Sequence, residues 1–333
     1  MNILYIYDDW CSFTINDFEI LKSEHEVKGI LVAGGLLKTI QTLPALWRGV
    51  VWCDVTFSWF GKLHAFFAVL FSKILGKKSI VVAGGDDVAC IPEIKYGMFC
   101  FWRKKWCPLF VFHFADMILS VSEFTRNSTL RNAHSDPGKT KTVYHGFDPE
   151  KWKRNKNINK ENIVITVGSI TEETLYIKSL LLFVQCAKLL PDIQFFVVGP
   201  YEKKALDALK GIAAPNVKFL GALHGDGLIR MYSRAKVYVQ ASLHESFGCS
   251  LAEAMLCECV PVVSNKAALP EVVGDTGVYL DELTAENIAG KIKYALTLSA
   301  DHGARARNRI IEKYPLEQRR QKILDVMSKI ENI

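Results

Sequence analysis

The sequence predicts an α/β protein of two units, each a parallel sheet covered by helices. Short apolar runs alternate with amphipathic stretches from end to end, the pattern of parallel strands joined by crossover helices. The chain has 333 residues, half of them hydrophobic, enough for two cores rather than one. Near the middle, the polar and basic stretch 149–160 (PEKWKRNKNINK) interrupts the alternation and has the composition of a linker. These observations divide the chain into a first unit over 1–150, a second over 151–310 and a closing helix over 311–333.

In the first unit, Ile3–Tyr7, Val27–Val32, Val50–Phe57, Ser79–Ala83 and Met117–Val121 are apolar and rich in β-branched or aromatic residues, so they read as strands. Lys62–Leu75 and Phe99–Phe114 read as helices. Ser122 stands where an N-cap would begin another helix, and Lys141–Asp148 reads as a strand closing on a turn. The second unit starts with strand Ile163–Val167. Helix Ile177–Leu190, strand Gln194–Val198, helix Glu202–Lys210, strand Val217–Leu220, helix Asp226–Arg234 and strand Val237–Gln240 follow. A further strand, Val260–Ser264, precedes the helices Ala285–Leu298, Ala304–Tyr314 and Leu316–Ile330.

The net charge of +6 suits an anionic ligand or an anionic membrane surface and is far from the composition of a nucleic-acid binder. Nine cysteines, an odd number, lie mostly in apolar runs. They read as small core residues of a reducing compartment, and Cys257-Glu-Cys259 as structural. The N-terminus turns acidic at Asp8-Asp9, too early for a signal peptide. The longest apolar run, Ala65–Phe71, is too short to span a bilayer. The expectation is a cytoplasmic protein, peripheral at a membrane if it meets one at all.

The most informative stretch is His244-Glu-Ser-Phe-Gly-Cys-Ser-Leu-Ala-Glu253. Seven residues separate Glu245 from Glu253, with a Gly-containing turn between them and a helical pattern after it. Such a turn offers backbone N–H groups at a helix N-terminus, a site for phosphate. An apolar strand precedes the motif and Val260–Ser264 follows it, so the turn lies at a strand's C-terminal end, where open parallel sheets bind ligands. One acid before an anion nest and one within the helix suit a nucleotide sugar, with hydroxyls at both ends and phosphates between. Two solvated glutamates around an ordinary helix start are the alternative reading.

Glu245 to Glu253, Val260–Ser264 and Pro270–Gly274 (PEVVG) resemble the signature of the retaining family-4 glycosyltransferases. The likeness is specific over roughly residues 160–280 and weaker before them. It implies a GT-B fold, two Rossmann-like domains facing an interdomain cleft, with the acceptor on the N-terminal domain and the nucleotide sugar mainly on the C-terminal one. It implies that Glu253 accepts hydrogen bonds from ribose hydroxyls and that Glu245 lies near the donor sugar. Phe247, Gly248, Cys249 and Ser250 would offer backbone N–H groups to sugar and diphosphate. Val167-Gly168-Ser169 and Lys178 match the family's phosphate-binding region, with Lys178 the cation for the leaving diphosphate. Ser169 stands where the family commonly has Arg, and Ser179 where it has Gly; Glu172 and Glu173 would repel phosphate if they faced it. The turns at Gly199 and at Gly221–Leu223 would cup the nucleoside, with ordinary βα-turn chemistry as the alternative. His224 reads as a helix cap, with contact to the base as the alternative. The last helix would cross back to the N-terminal domain.

In the first unit Gly84-Gly85-Asp86-Asp87 replaces a family His that faces the sugar, so Asp86 or Asp87 would contact sugar or acceptor hydroxyls, or else cap a local turn. Asp8-Asp9-Trp10 replaces the usual glycine-rich loop. The implied activity is transfer of a sugar from a UDP-sugar or GDP-sugar to a glycan, lipid-linked or small-molecule acceptor, with no cofactor and no metal. A non-catalytic nucleotide-sugar-binding subunit, or another GT-B enzyme such as an epimerase, is the alternative. Phe99–Phe112 interleaves aromatics with Arg103, Lys104 and Lys105. It reads either as a core helix with one solvated basic turn or as a peripheral membrane contact.

Overall fold

The structure, a computed structural model, describes residues 1–331. The chain divides into two compact units, one of Met1–Gly146 with the segment from Leu316 onward, the other of Phe147–Pro315. The first runs β1 (Asn2–Tyr7), α1 (Ser12–Lys22), β2 (Glu26–Leu31), α2 (Leu36–Trp52), β3 (Val55–Trp59), α3 (Leu63–Ile74), β4 (Lys78–Ala83), α4 (Trp102–Phe114), β5 (Met117–Ser120), α5 (Glu123–Asn132) and β6 (Thr140–Thr142). Its strands are parallel, in the order β2-β1-β3-β4-β5-β6. The inner strand β3 is buried along its whole length, as expected of a strand covered by helices on both faces.

Two expectations for this unit are corrected. Val50, Val51 and Trp52 are not strand but the end of α2. A largely apolar run over 50–57, interrupted only at Asp54 and Thr56, crosses from helix into β3, and periodicity does not locate the boundary inside such a run. The helical part of 99–114 starts at Trp102, after a single 3₁₀ turn over Met98–Cys100. The Ser122 cap is present, its hydroxyl accepting the Thr125 N–H at 3.0 Å.

The second unit runs β7 (Glu161–Val167), α6 (Glu172–Ile177), α7 (Leu180–Cys186), β8 (Gln194–Val198), α8 (Lys203–Ile212), β9 (Val217–Gly221), α9 (Gly225–Arg234), β10 (Ala235–Gln240), α10 (Cys249–Leu256), β11 (Val260–Ser264), α11 (Leu269–Val273), β12 (Val278–Leu280), α12 (Ala285–Thr297) and α13 (Ala300–Lys313). Its parallel sheet has the order β12-β11-β10-β7-β8-β9. Phe183, Val184, Phe195, Val197, Val237 and Ile292 pack in its core.

The stretch 149–160 is not a free linker. Trp152 is buried against Tyr232, Arg154 pairs with Glu258 at 2.8 Å, and the Lys160 ammonium donates to the carbonyls of Tyr232, Ala235 and Cys257 at 2.7–2.8 Å. Arg154 and Lys160 thus face carboxylate and carbonyl acceptors, while Lys151, Lys153 and Lys156 stay exposed, a division that composition alone does not reveal. The last helix, α14 (Leu316–Glu331), belongs to the first unit. There the buried Arg319 makes a two-point contact with Asp17 of α1 at 2.6 Å and donates to the carbonyls of Val143 and Tyr144 at 2.8 Å.

Candidate functional site

In the second unit the chain leaves β7 through β8 to β9 on one side, then returns to build β10, β11 and β12 on the other. The C-terminal ends of β7 and β10 are therefore neighbours at the point where strand order reverses, the place where open α/β sheets form a ligand crevice. Gly168 and Ser169 follow β7, and the segment from Ala241 to Gly248 follows β10.

The helix expected from Ile177 starts later, at Leu180 (α7), and a separate short helix, α6, precedes it and ends at Ile177; Ser179 between them adopts φ 51°. The break between α6 and α7 brings Lys178 to the sheet edge. The Leu243 N–H donates to the Ile177 carbonyl at 2.7 Å, tying the loop after β10 to the helix end that carries the lysine. The Lys178 ammonium stands 3.2 Å from Glu245 Oε1 and lies over Gly168, where an added Cβ would meet it at 2.9 Å. A side chain at 168 would push the lysine tip away from this turn. Glu245 Oε1 also accepts from Gln240 Nε2 at 2.6 Å and Ser242 Oγ at 3.1 Å. Gln240 is fixed in turn by the Tyr238 hydroxyl at 2.8 Å.

Glu245 leads into the turn that starts α10. Gly248, its N-cap, has φ 99°, a left-handed conformation that glycine adopts without a Cβ penalty. Cys249 and Ser250 open the helix, and the Ser250 hydroxyl donates to the Val167 carbonyl at 3.3 Å. The Phe247 ring packs against Phe147 and Tyr314, so only its backbone can meet a ligand. One turn on, Glu253 is 7% exposed, yet no hydrogen bond or ion pair to its carboxyl is found among the described residues. Burial pushes its pKa up to about 8, against the pull of Lys151. A buried carboxyl without a donor is costly, and a ligand bearing hydroxyls would remove that cost.

The other predicted residues occupy neighbouring turns. An added Cβ on Gly199 would meet the Gly168 carbonyl oxygen at 2.0 Å, so only glycine fits where the turns after β7 and β8 touch. The Gly199 N–H reaches the Gly221 carbonyl at 2.8 Å, extending the rim to the turn that holds Leu223. His224 sits at the N-cap of α9, as expected, though its side chain makes no capping bond. The Ser169 carbonyl accepts from Thr174 Oγ1 at 2.7 Å. Glu172 pairs with Lys204.

In the first unit, the order reverses between β1 and β3, and a second polar cluster stands at that sheet edge. Asp87 is fully buried and accepts the N–H groups of Gly61 and Gly85 at 2.8 and 2.7 Å. Burial, with Asp86 adding, pushes its pKa up to about 6. Asp87 therefore fastens a turn, while the more exposed Asp86 stays accessible, 3.4 Å from Lys62. Lys62 also reaches Asp8 at 3.1 Å. Burial opposes its charge, but Asp86 and Asp8 outweigh burial and raise its pKa.

Sequence reasoning did not single out Gln240, Ser242 or Lys62. Gln240 and Ser242 do carry a signal: polar residues at alternate positions close an otherwise apolar strand and share one face with the network they form. Lys62 has none, because its partners, Asp8 and Asp86, stand in turns after other strands, β1 and β4.

Residues 148–314 match the model of a family described as glycosyl transferases group 1. The chain is 36% identical over 80 residues to the O-antigen chain mannosyltransferase B of Escherichia coli, a stretch covering 24% of this chain and 21% of that protein. The match spans about a fifth of that relative's length. Among solved structures, Anabaena Alr3699/HepE in complex with UDP-glucose superposes with a TM-score of 0.80 at 15% identity, covering 99% of this chain and 100% of that one. The sucrose-phosphate synthase of Thermosynechococcus elongatus superposes with a TM-score of 0.81 at 16% identity, covering 99% of each chain. At such identities the likeness is one of fold: two Rossmann-like α/β halves of the GT-B class.

Proposed function

The chain belongs to the group 1 glycosyl transferases, and from that premise we propose that it moves a sugar from a nucleotide-sugar donor to a glycan or lipid-linked acceptor, with retention of configuration as in family 4. The observation that carries the reading is Glu253, a carboxyl buried with no hydrogen-bond or ion-pair partner among the described residues, on the helix whose N-terminus faces the switch point of the sheet. Two ribose hydroxyls supply the donors it lacks. The backbone N–H groups that open α10 and the Lys178 ammonium then meet the diphosphate, whose charge grows as the sugar leaves. This draws the compensating charge from the chain itself and from no metal.

Glu245 has Lys178, Gln240 and Ser242 on one carboxylate oxygen, which holds it as an electrostatic and positioning group rather than a mobile nucleophile. Its negative charge stabilises the oxocarbenium-like sugar, and a diphosphate oxygen takes the acceptor's proton on the same face, which retains configuration. Asp86 is the acceptor-side carboxylate in this scheme.

The E. coli relative is named as a mannosyltransferase and the Anabaena structure holds UDP-glucose, so a mannose nucleotide and UDP-glucose are the first donors to try. Thermal shifts with UDP, GDP and their sugars test the reading, followed by turnover of the donor that binds, with and without EDTA. We expect one nucleotide to raise the melting temperature. We also expect Glu253→Ala to weaken its binding by about 1.5–3 kcal/mol, the worth of a charge-assisted hydrogen bond. No shift with any nucleoside diphosphate overturns the reading. Binding without turnover favours a non-catalytic subunit.

A further inference from the structure

The outer helical layer of the first unit has a composition that the glycosyl-transfer reading does not use. In α2, the exposed Leu36, Leu37, Ile40, Pro44, Trp47 and Val51 fall within an arc of about 100° at 100° per residue. Thr39, Leu46 and Val50 turn instead to the core. An amphipathic helix of a water-facing surface would carry charge on that arc; this one presents leucines, with Leu37 77% exposed.

The apolar character continues across the layer. Trp47 of α2 meets Phe71 of α3 at 5.1 Å between ring centroids; Phe71, Phe67 and Phe66 contact one another in turn, and Phe66 meets Trp106 of α4 at 5.1 Å. At the far side Trp102 is 74% exposed. None of the three helices contains an aspartate or a glutamate. They carry Lys38, Arg48, Lys73, Arg103, Lys104 and Lys105 instead, of which Lys73 is paired with Asp116. No helix among the described residues is long and apolar enough to cross a membrane.

We propose that the outer face of α2, α3 and α4 is a docking surface for an anionic lipid bilayer, with the α2 stripe and Trp102 entering the headgroup boundary and the basic residues meeting lipid phosphate. A continuous apolar face edged by cations, with tryptophans at its rim, is the form of an interfacial surface. Charge selects lipid over a second copy of the chain. A two-fold contact on this face would set Arg103, Lys104 and Lys105 near cations of the partner with no acid of these helices to offset them. The surface extends well beyond 99–112, and α2 supplies most of its apolar contact. An enzyme held there would draw its acceptor from the lipid phase.

The test is co-sedimentation of the full chain with phosphatidylcholine vesicles, with and without phosphatidylglycerol. We expect binding only when phosphatidylglycerol is present, falling steeply with added salt. Changing Arg103, Lys104 and Lys105 together to Ser should weaken it roughly a hundredfold. Leu37→Ser with Trp102→Ser should weaken it by about tenfold or more. These two side chains are largely in solvent, so an unchanged melting temperature confirms that each variant folds. No binding to phosphatidylglycerol vesicles at low salt, equal binding to neutral vesicles, or binding untouched in both variants overturns the proposal. So does a dimer, seen by analytical ultracentrifugation without lipid, that Leu37→Ser dissolves.

Discussion

At the edge of the first sheet, Asp87 accepts two backbone N–H groups while Asp8 and Asp86 share Lys62. At the edge of the second, Glu253 is nearly as enclosed as Asp87 and has no donor among the described residues, while Glu245 and Lys178 face each other across Gly168. Both groups stand where strand order reverses, between β1 and β3 in one unit and between β7 and β10 in the other. The topology supplies the position in each case, and what differs is whether the buried charge is satisfied by the chain. A satisfied carboxylate holds a turn together; an unsatisfied one costs stability until something binds.

The largest expected effect comes from removing the satisfied acid. Asp87→Ala leaves the N–H groups of Gly61 and Gly85 buried without an acceptor, at about 1–3 kcal/mol each. We expect a loss of about 3 kcal/mol in urea unfolding, set against little loss or a gain for Glu253→Ala. Equal losses for the two variants would erase the distinction between the sheet edges.

Lys178→Ala tests the second edge by rate rather than stability. Its ammonium serves a charge that grows as the diphosphate departs, so kcat should fall about tenfold to a hundredfold while the donor KM changes little. A rise in KM with unchanged kcat would make the lysine a ground-state binder only.

Next comes the pH dependence of Glu253. In the unfolded chain its carboxyl ionises near the ordinary value of 4.5, and in the folded state near about 8. Between those values the unfolded state has lost its proton and the folded state keeps it. Stability therefore falls as pH rises through that window, by up to about 1.4 kcal/mol per pH unit from this group. Glutamine does not titrate, so Glu253→Gln should match the wild type near pH 4.5 and become the more stable protein toward pH 8. Parallel curves of urea midpoint against pH would show that Glu253 has found a donor.

The sheets were legible because their inner strands are mostly apolar runs bounded by glycine or a small residue: Val167 before Gly168, Val198 before Gly199, Gln240 before Ala241. α2 was not. It is apolar on its outer face as well as its inner one, contains Pro44 and runs into β3 almost without a polar residue, so neither period stands out. The acids and the lysine at the second edge could be named from spacing and family pattern. The contacts that hold them were less legible: Gln240 and Ser242 bond Glu245 from the end of β10, and the Ile177 carbonyl takes the Leu243 N–H at the end of a short helix, α6, that the sequence did not reveal. Partnership was equally hidden: sequence treats Asp86 and Asp87 alike, and only burial separates the turn fastener from the accessible acid.

The break between α6 and α7 gives the smallest prediction and the finest comparison. Ser179 holds φ 51° with a Cβ, at a position where the family pattern has glycine. A left-handed conformation costs an L-residue about 1–2 kcal/mol, whereas glycine adopts it freely but loses about 0.4–1 kcal/mol through greater freedom in the unfolded chain. Ser179→Gly should therefore stabilise the second unit by about 0.5 kcal/mol, read as a small rise in urea midpoint at unchanged slope. Because the break itself is kept, Lys178 stays over Gly168 and donor turnover should not change. A fall in turnover with the stability gain would mean that the serine side chain helps hold the lysine in place, giving this chain a substitute for the glycine it lacks.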